Sequence, residues 1–171
     1  MNADRIHPAS LLVDQLAPQC ETKRTRRSGP GGQNRNKVET TIVLRHRPTG
    51  IGAEASERRT QGDNLRVAYF RLRVNLALEI RIGVEIDSEP SPLWQRRCQG
   101  GRIAINSEHD DYPTLLAEAL DVVHDQGMDV KSASLILRCT ASQLTKFLKT
   151  EARAFAMINE RRRQLGLHPL L

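Results

Sequence analysis

Ser28-Gly29-Pro30-Gly31-Gly32-Gln33-Asn34-Arg35-Asn36-Lys37 is followed almost at once by Thr40-Thr41-Ile42-Val43-Leu44-Arg45-His46, and then by Pro48-Thr49-Gly50-Ile51. Three glycines around one proline stop any regular element and let bare backbone approach a partner closely. On one side, Cys20 to Ser28 can extend as a strand. On the other, Thr40 to His46 is rich in β-branched residues, Pro48-Thr49-Gly50 turns the chain, and Ile51 to Ser56 can return as a hairpin partner. Leu65, Ala68, Tyr69, Leu72, Leu76 and Ile80 then recur at three and four, the apolar stripe of a helix, with Arg66, Arg71, Arg73 and Arg81 mostly off it. The expected fold is α+β, a small β-sheet packed on a helix over residues 20–86.

Outward from that unit the pattern changes. Residues 1–19, punctuated by Pro8 and Pro18, are expected to be an N-terminal arm with at most a single turn at Ser10 to Leu16. Residues 87–112 are expected to be a linker, because Asp87 to Gly101 holds Pro90, Pro92 and a glycine pair. Trp94, beside Arg96 and Arg97, is read as anchoring that linker to a core in preference to stacking on a base. Residues 113–171 read as a small all-α bundle. Pro113 sits near a first helical position with Gly127 as a stop, a second helix covers Val130 to Cys139, and Thr140 with Gln143 has capping-box spacing. A last helix over Ala152 to Leu165 ends at Gly166.

The composition of the 171 residues, 39% hydrophobic and 27% charged, is that of a globular chain. Aromatics make up 4%, too few for stacking to be the main binding device. No stretch approaches the ~18 apolar residues of a spanning helix, and the first residues lack signal-peptide order, so a cytoplasmic location without membrane contact is expected. Cys20, Cys98 and Cys139 lie far apart and are read as reduced and structural. His7, His46, His109, His124 and His168 are scattered, so neither a metal site nor a cofactor is expected. Charge is segregated: residues 20–82 carry 14 Lys/Arg against 6 Asp/Glu, whereas residues 83–171 carry 11 against 12. An Arg-dominated block of this kind suits phosphate, because the guanidinium fork pairs two oxygens at once.

Gln33 is a neutral side chain, both donor and acceptor, in a loop without bulky neighbours, and can orient water without titrating. A lone Gly-Gly-Gln would be an ordinary turn. Its specificity comes from the motifs downstream of it, in order Asn34-Arg35-Asn36-Lys37, Pro48-Thr49-Gly50-Ile51, Glu57-Arg58-Arg59-Thr60-Gln61, and Asn64 with Ala68. With Ser28 to Gln33, this series resembles the Gly-Gly-Gln catalytic domain of class I peptide chain release factors, over about residues 20–82. Thr60 stands where the pattern has Ser, and keeps the hydroxyl.

The resemblance implies a peptidyl-tRNA hydrolase whose loop enters the catalytic centre of the large ribosomal subunit. Gly31 and Gly32 would allow the loop's bend. The Gln33 N–H would stabilise charge on the reacting oxygen and its side chain would admit water as nucleophile, with no general base from the protein. Arg26, Arg27, Arg35, Lys37, Arg58 and Arg59 would neutralise phosphates of ribosomal RNA and peptidyl-tRNA. The stop-codon-reading domains of the decoding factors have no counterpart in this length, and the basic tail of codon-independent rescue hydrolases is replaced by a near-neutral helical segment. That segment is expected to target the catalytic domain to a protein surface or a particular RNA shape. Two other readings use the same residues: a non-catalytic ribosome- or RNA-binding protein on this fold, and a helix-turn-helix regulator built on Val130 to Leu148, for which the local charge is too small to hold DNA.

Overall fold

Strand β2, Thr41–His46, buries Ile42, Leu44 and His46, one face of a pleated strand. It is the middle of a three-stranded antiparallel sheet, flanked by β1 (Cys20–Thr25) and β3 (Gly52–Ala55). A computed structural model supplies these elements and describes residues 6–25, 40–84 and 89–171. Register runs from Cys20↔His46 to Thr25↔Thr41 on one side of β2 and from Ile42↔Ala55 to Arg45↔Gly52 on the other. The turn between β2 and β3 is closed by Gly50, at φ +74°, whose N–H donates to His46 O at 2.7 Å. The His46 ring holds the same turn from beneath, 2.8 Å from Thr49 Oγ1 and 3.1 Å from Gln19 Oε1, and burial keeps its pKa below the usual value.

The chain groups into two compact units, Pro8–Leu76 and Ala77–Leu171, the second joined, among the described residues, by Ile6 and His7. In the first, the sheet meets the long helix α2, Gln61–Glu79, whose last turn belongs to the other unit. α2 is tied to the strand β3 backbone: Asn75 donates to Gly52 O at 2.7 Å and Arg71 to Glu54 O at 2.8 Å. Ala68, Tyr69, Leu72 and Leu76 are buried as their spacing predicts, while Leu65 is only half-buried.

Two expectations for this unit change. Arg73 is not off the buried face: it is 6% exposed, and its Nε–H donates to Ala9 O at 2.9 Å. Residues 8–19 are correspondingly more than a loose arm, forming a 3-10 turn (Pro8–Ser10), a short helix α1 (Val13–Leu16) and a second 3-10 turn (Ala17–Gln19). Ala9 and Leu16 are fully buried, and that burial fixes a segment whose local sequence has little helical preference of its own.

The second unit contains helices α3 (Pro92–Arg97), α4 (Tyr112–Asp125), α5 (Val130–Ile136), α6 (Ala141–Lys149) and α7 (Ala152–Gln164), with a small hairpin of β4 (Cys98–Gln99) and β5 (Arg102–Ile103). Residues 92–103, expected as part of a linker, are thus regular structure. Trp94 is the reason. It is 1% exposed, donates its indole N–H to Leu137 O at 2.8 Å, and meets Phe147 edge-on at 5.9 Å. Ser91 caps α3 through the Trp94 N–H and is itself bound by Glu118 at 2.7 and 2.6 Å. Thr140 caps α6 by accepting the Gln143 N–H, and Gly166, at φ +72°, follows the end of α7.

Two buried ionisable groups in this unit oppose each other in pH. Burial pushes His7 down to about 4, outweighing its contact with Ile80 O at 3.3 Å, while burial pushes Asp121 up to about 6 against the pull of the Ile82 N–H and Arg81. Folded His7 holds fewer protons than unfolded between about pH 4 and its ordinary 6.5, so its contribution to stability grows as pH rises through that window. Folded Asp121 holds its proton from its ordinary 3.8 up to about 6, so its contribution is full at low pH and is lost as pH rises through about 6. Asp121→Asn removes the second dependence. Melting temperature recorded from pH 4 to 7 is expected to climb more steeply in the variant than in the parent; parallel profiles would contradict the assignment.

Candidate active site

Strands β1 and β2 end together at the Thr25↔Thr41 pair, so residues 26–40 leave and re-enter the sheet at neighbouring points. Gly31, Gly32 and Gln33, with Arg26, Arg27, Arg35 and Lys37, all belong to this connection and lie outside the described residues. What the described residues define is its neck. Asn64, the fourth residue of α2 and completely buried, donates from Nδ2 to Thr40 O at 2.7 Å and to Arg58 O at 3.1 Å, and accepts the Arg58 N–H on Oδ1 at 2.8 Å. One carboxamide therefore uses both donors and its acceptor to fasten the loop's exit to the segment before α2.

That segment is fixed from two further directions. Thr60 Oγ1 accepts the Asp63 N–H at 3.0 Å and donates to Asp63 Oδ2 at 2.6 Å, which caps the start of α2. The hydroxyl is what the position requires, and serine or threonine supplies it equally. Glu57 forms a two-pronged pair with Arg71, at 2.7 and 3.2 Å; its modest burial is outweighed by the Ser56 N–H and by Arg71, which hold its carboxyl below the usual range. Glu57 and Asn64 are thus structural members of the motif series.

Arg58 and Arg59 are brought to the same place, exposed beside the Asn64 latch, and neither forms an ion pair with a described residue. Of the six cations expected to meet phosphate, these two are the ones the described residues locate. Among the other cations of this unit, Arg24 on β1, next to the neck, and Arg66 on α2 are also exposed and without an ion pair to a described residue, as are Arg45 and Arg47. The period of the α2 stripe, which leaves Arg66 outside, was a usable signal for it. Arg24 stands opposite Ile42, whose face is buried, so strand alternation pointed the wrong way. No group of three or more His, Cys, Asp or Glu among the described residues is placed to hold a metal ion. No helix among them is long and apolar enough to cross a membrane.

Comparison with known families matches residues 15–107, more than half of the chain, to the RF-1 domain. The chain belongs to the RF-1 domain family. Curated relatives with which this RF-1 domain shares sequence include an uncharacterized mitochondrial peptide chain release factor-like protein of Saccharomyces cerevisiae, 35% identical over 75 residues, or 43% of this chain and 48% of that one. A chloroplastic peptide chain release factor of Arabidopsis thaliana is 46% identical over 52 residues, 30% of this chain and 11% of that one. Peptide chain release factor 2 of Variovorax paradoxus is 44% identical over 71 residues, 42% of this chain and 17% of that one. The matched region spans about half of the yeast protein and much less of the other two. In this RF-1 domain the motif residues fall into two groups, with Glu57, Thr60 and Asn64 building the neck and Arg58 and Arg59 facing solvent beside it.

Proposed function

We propose that this protein is a ribosome-dependent peptidyl-tRNA hydrolase that releases peptides from stalled ribosomes independently of a stop codon. The observation that carries the reading is the latched neck. An RF-1 domain whose Gly31-Gly32-Gln33 connection starts and ends at the Thr25↔Thr41 pair, with Asn64 on Thr40 O, has the means to present a loop at the end of a rigid hairpin. Preorganisation of this kind is what electrostatic stabilisation of a developing oxyanion needs. Gln33 acts through its backbone N–H and through a side chain that orients water; no cofactor takes part. The partners are the catalytic centre of the large subunit, ribosomal RNA and peptidyl-tRNA, in the cytoplasm, and the helical unit serves as a targeting module.

The test is release of labelled peptide from ribosomes stalled on truncated message, compared with ribosomes holding a stop or a sense codon. Release on truncated message is expected. A strict requirement for a stop codon would overturn the rescue assignment, and no release from any complex would overturn the hydrolase.

Binding to the ribosome should weaken steeply with salt, because each phosphate contact liberates counterions. Replacing Arg35 and Lys37 together by alanine is expected to flatten the slope of log affinity against log salt by roughly 0.7–0.9 for each phosphate no longer neutralised. An unchanged slope in the double variant places the contacts elsewhere.

A further inference from the structure

In the helical unit a cleft of about 310 Å³ opens between the β4–β5 hairpin and helix α6. Arg102 from the hairpin and Lys146 from α6 line it, and both are exposed. Gln143, one turn before Lys146, adds a carboxamide that makes no side-chain hydrogen bond to a described residue. Phe147 lies within the same wall, buried and held edge-on by Trp94 and Tyr112, while Ile103 and Ile105 contribute half-buried apolar surface. Thr150 is already occupied, its hydroxyl bonded to Tyr112 Oη at 2.8 Å and donated to Phe147 O at 2.6 Å.

The charged groups that line this cleft are cations alone. Several cations elsewhere in the unit are met by acids, Arg97 by Asp111, Arg153 by Glu151, Arg163 by Glu160 and Arg138 by Glu89, whereas Arg96 and Lys131 form no ion pair with a described residue and stand outside any such cleft. Arg102 and Lys146 form no ion pair with a described residue, and no carboxylate lines the cleft. Neither Cys98–Ile105 nor Ala141–Thr150 contains a single Asp or Glu. A unit that is near neutral in sum thus carries a local cationic site.

We propose that this cleft binds a backbone phosphate of RNA. The fork of Arg102 meets two phosphate oxygens, Lys146 supplies a point charge, and Gln143 offers a neutral donor of the kind that positions proteins on phosphate and sugar. The half-buried Ile103 and Ile105 are suited to the adjoining ribose. The inference goes beyond peptide release and does not depend on it, because its readout is RNA binding by the full chain.

The experiment measures affinity of the full-length protein for a fluorescent single-stranded RNA oligonucleotide across a salt series. Arg102→Gln with Lys146→Gln is expected to flatten the log–log salt slope by about 0.7 for each phosphate left without its cation, at an unchanged melting temperature since both side chains are exposed. The exchange Arg102→Lys with Lys146→Arg is expected to keep most of the slope. Lys131→Ala, an exposed cation outside the cleft, serves as control. An unchanged slope in the double glutamine variant, or an equal loss in Lys131→Ala, overturns the site. Displacement of the RNA by polyglutamate as effectively as by unlabelled RNA overturns its assignment to RNA.

Discussion

Gly32→Ala, or Gln33→Ala, is expected to lower the rate of peptide release by at least about 10²-fold while leaving ribosome affinity nearly unchanged. For Gly32→Ala the magnitude is that of losing one preorganised donor to a developing oxyanion, about 10²–10³ in rate, and a loss of the same order is expected for Gln33→Ala, where the attacking water is no longer oriented. Under the proposed reading the two substitutions act differently. Alanine at position 32 restricts backbone freedom and misplaces the Gln33 N–H, whereas alanine at position 33 keeps that N–H and removes the group that orients water. Both interactions exist mainly in the transition state, so kcat falls and apparent binding does not. Under the same reading affinity would rest instead on the cationic residues, which would bind substrate and transition state alike. The measurement is single-turnover release at saturating protein, alongside sedimentation with ribosomes. Full release activity in Gly32→Ala would sink the catalytic assignment of the loop.

The second large effect is expected at Asn64. Asn64→Asp keeps an acceptor for the Arg58 N–H but loses both donors and sets a carboxylate against Thr40 O and Arg58 O. Asn64→Ala leaves all three backbone groups without this partner. Unmet buried hydrogen-bonding groups cost about 1–3 kcal/mol each, and relaxation and water recover part of that, so a loss of roughly 2–4 kcal/mol is expected for either variant. Release should fall further than stability alone explains, since the neck of the loop is freed. The check is thermal unfolding combined with release measured well below the variant's melting temperature. A destabilisation under about 1 kcal/mol, or parental release from the folded variant, would remove Asn64 from the positioning role.

The elements themselves were legible because each depends on residues close together. β-branched Thr41 to Val43, the Pro48-Thr49-Gly50 turn and the stripe from Leu65 to Ile80 express local backbone preference and periodicity; the structure places strands β2 and β3 and the end of the helix within a residue of those signals, while the helix begins four residues before the stripe, at Gln61. Thr140 and Gly166 were readable for the same reason, since a cap needs partners only a few residues away. The order of motifs from Ser28 to Ala68 was enough to bring the family into view. Only tertiary structure could decide that Asn64 reaches back to Thr40, that Arg73 closes on Ala9, and that Trp94 turns an expected linker into regular structure through Leu137. Those bonds join residues 24, 64 and 43 positions apart. Each is a buried polar group satisfied by whichever backbone atom the fold delivers, and neither periodicity nor capping chemistry carries information over such separations. The cleft at Arg102 and Lys146 was hidden likewise: a net charge summed along a segment cannot register that the fold brings two cations from separate elements into one cleft with no carboxylate in its lining.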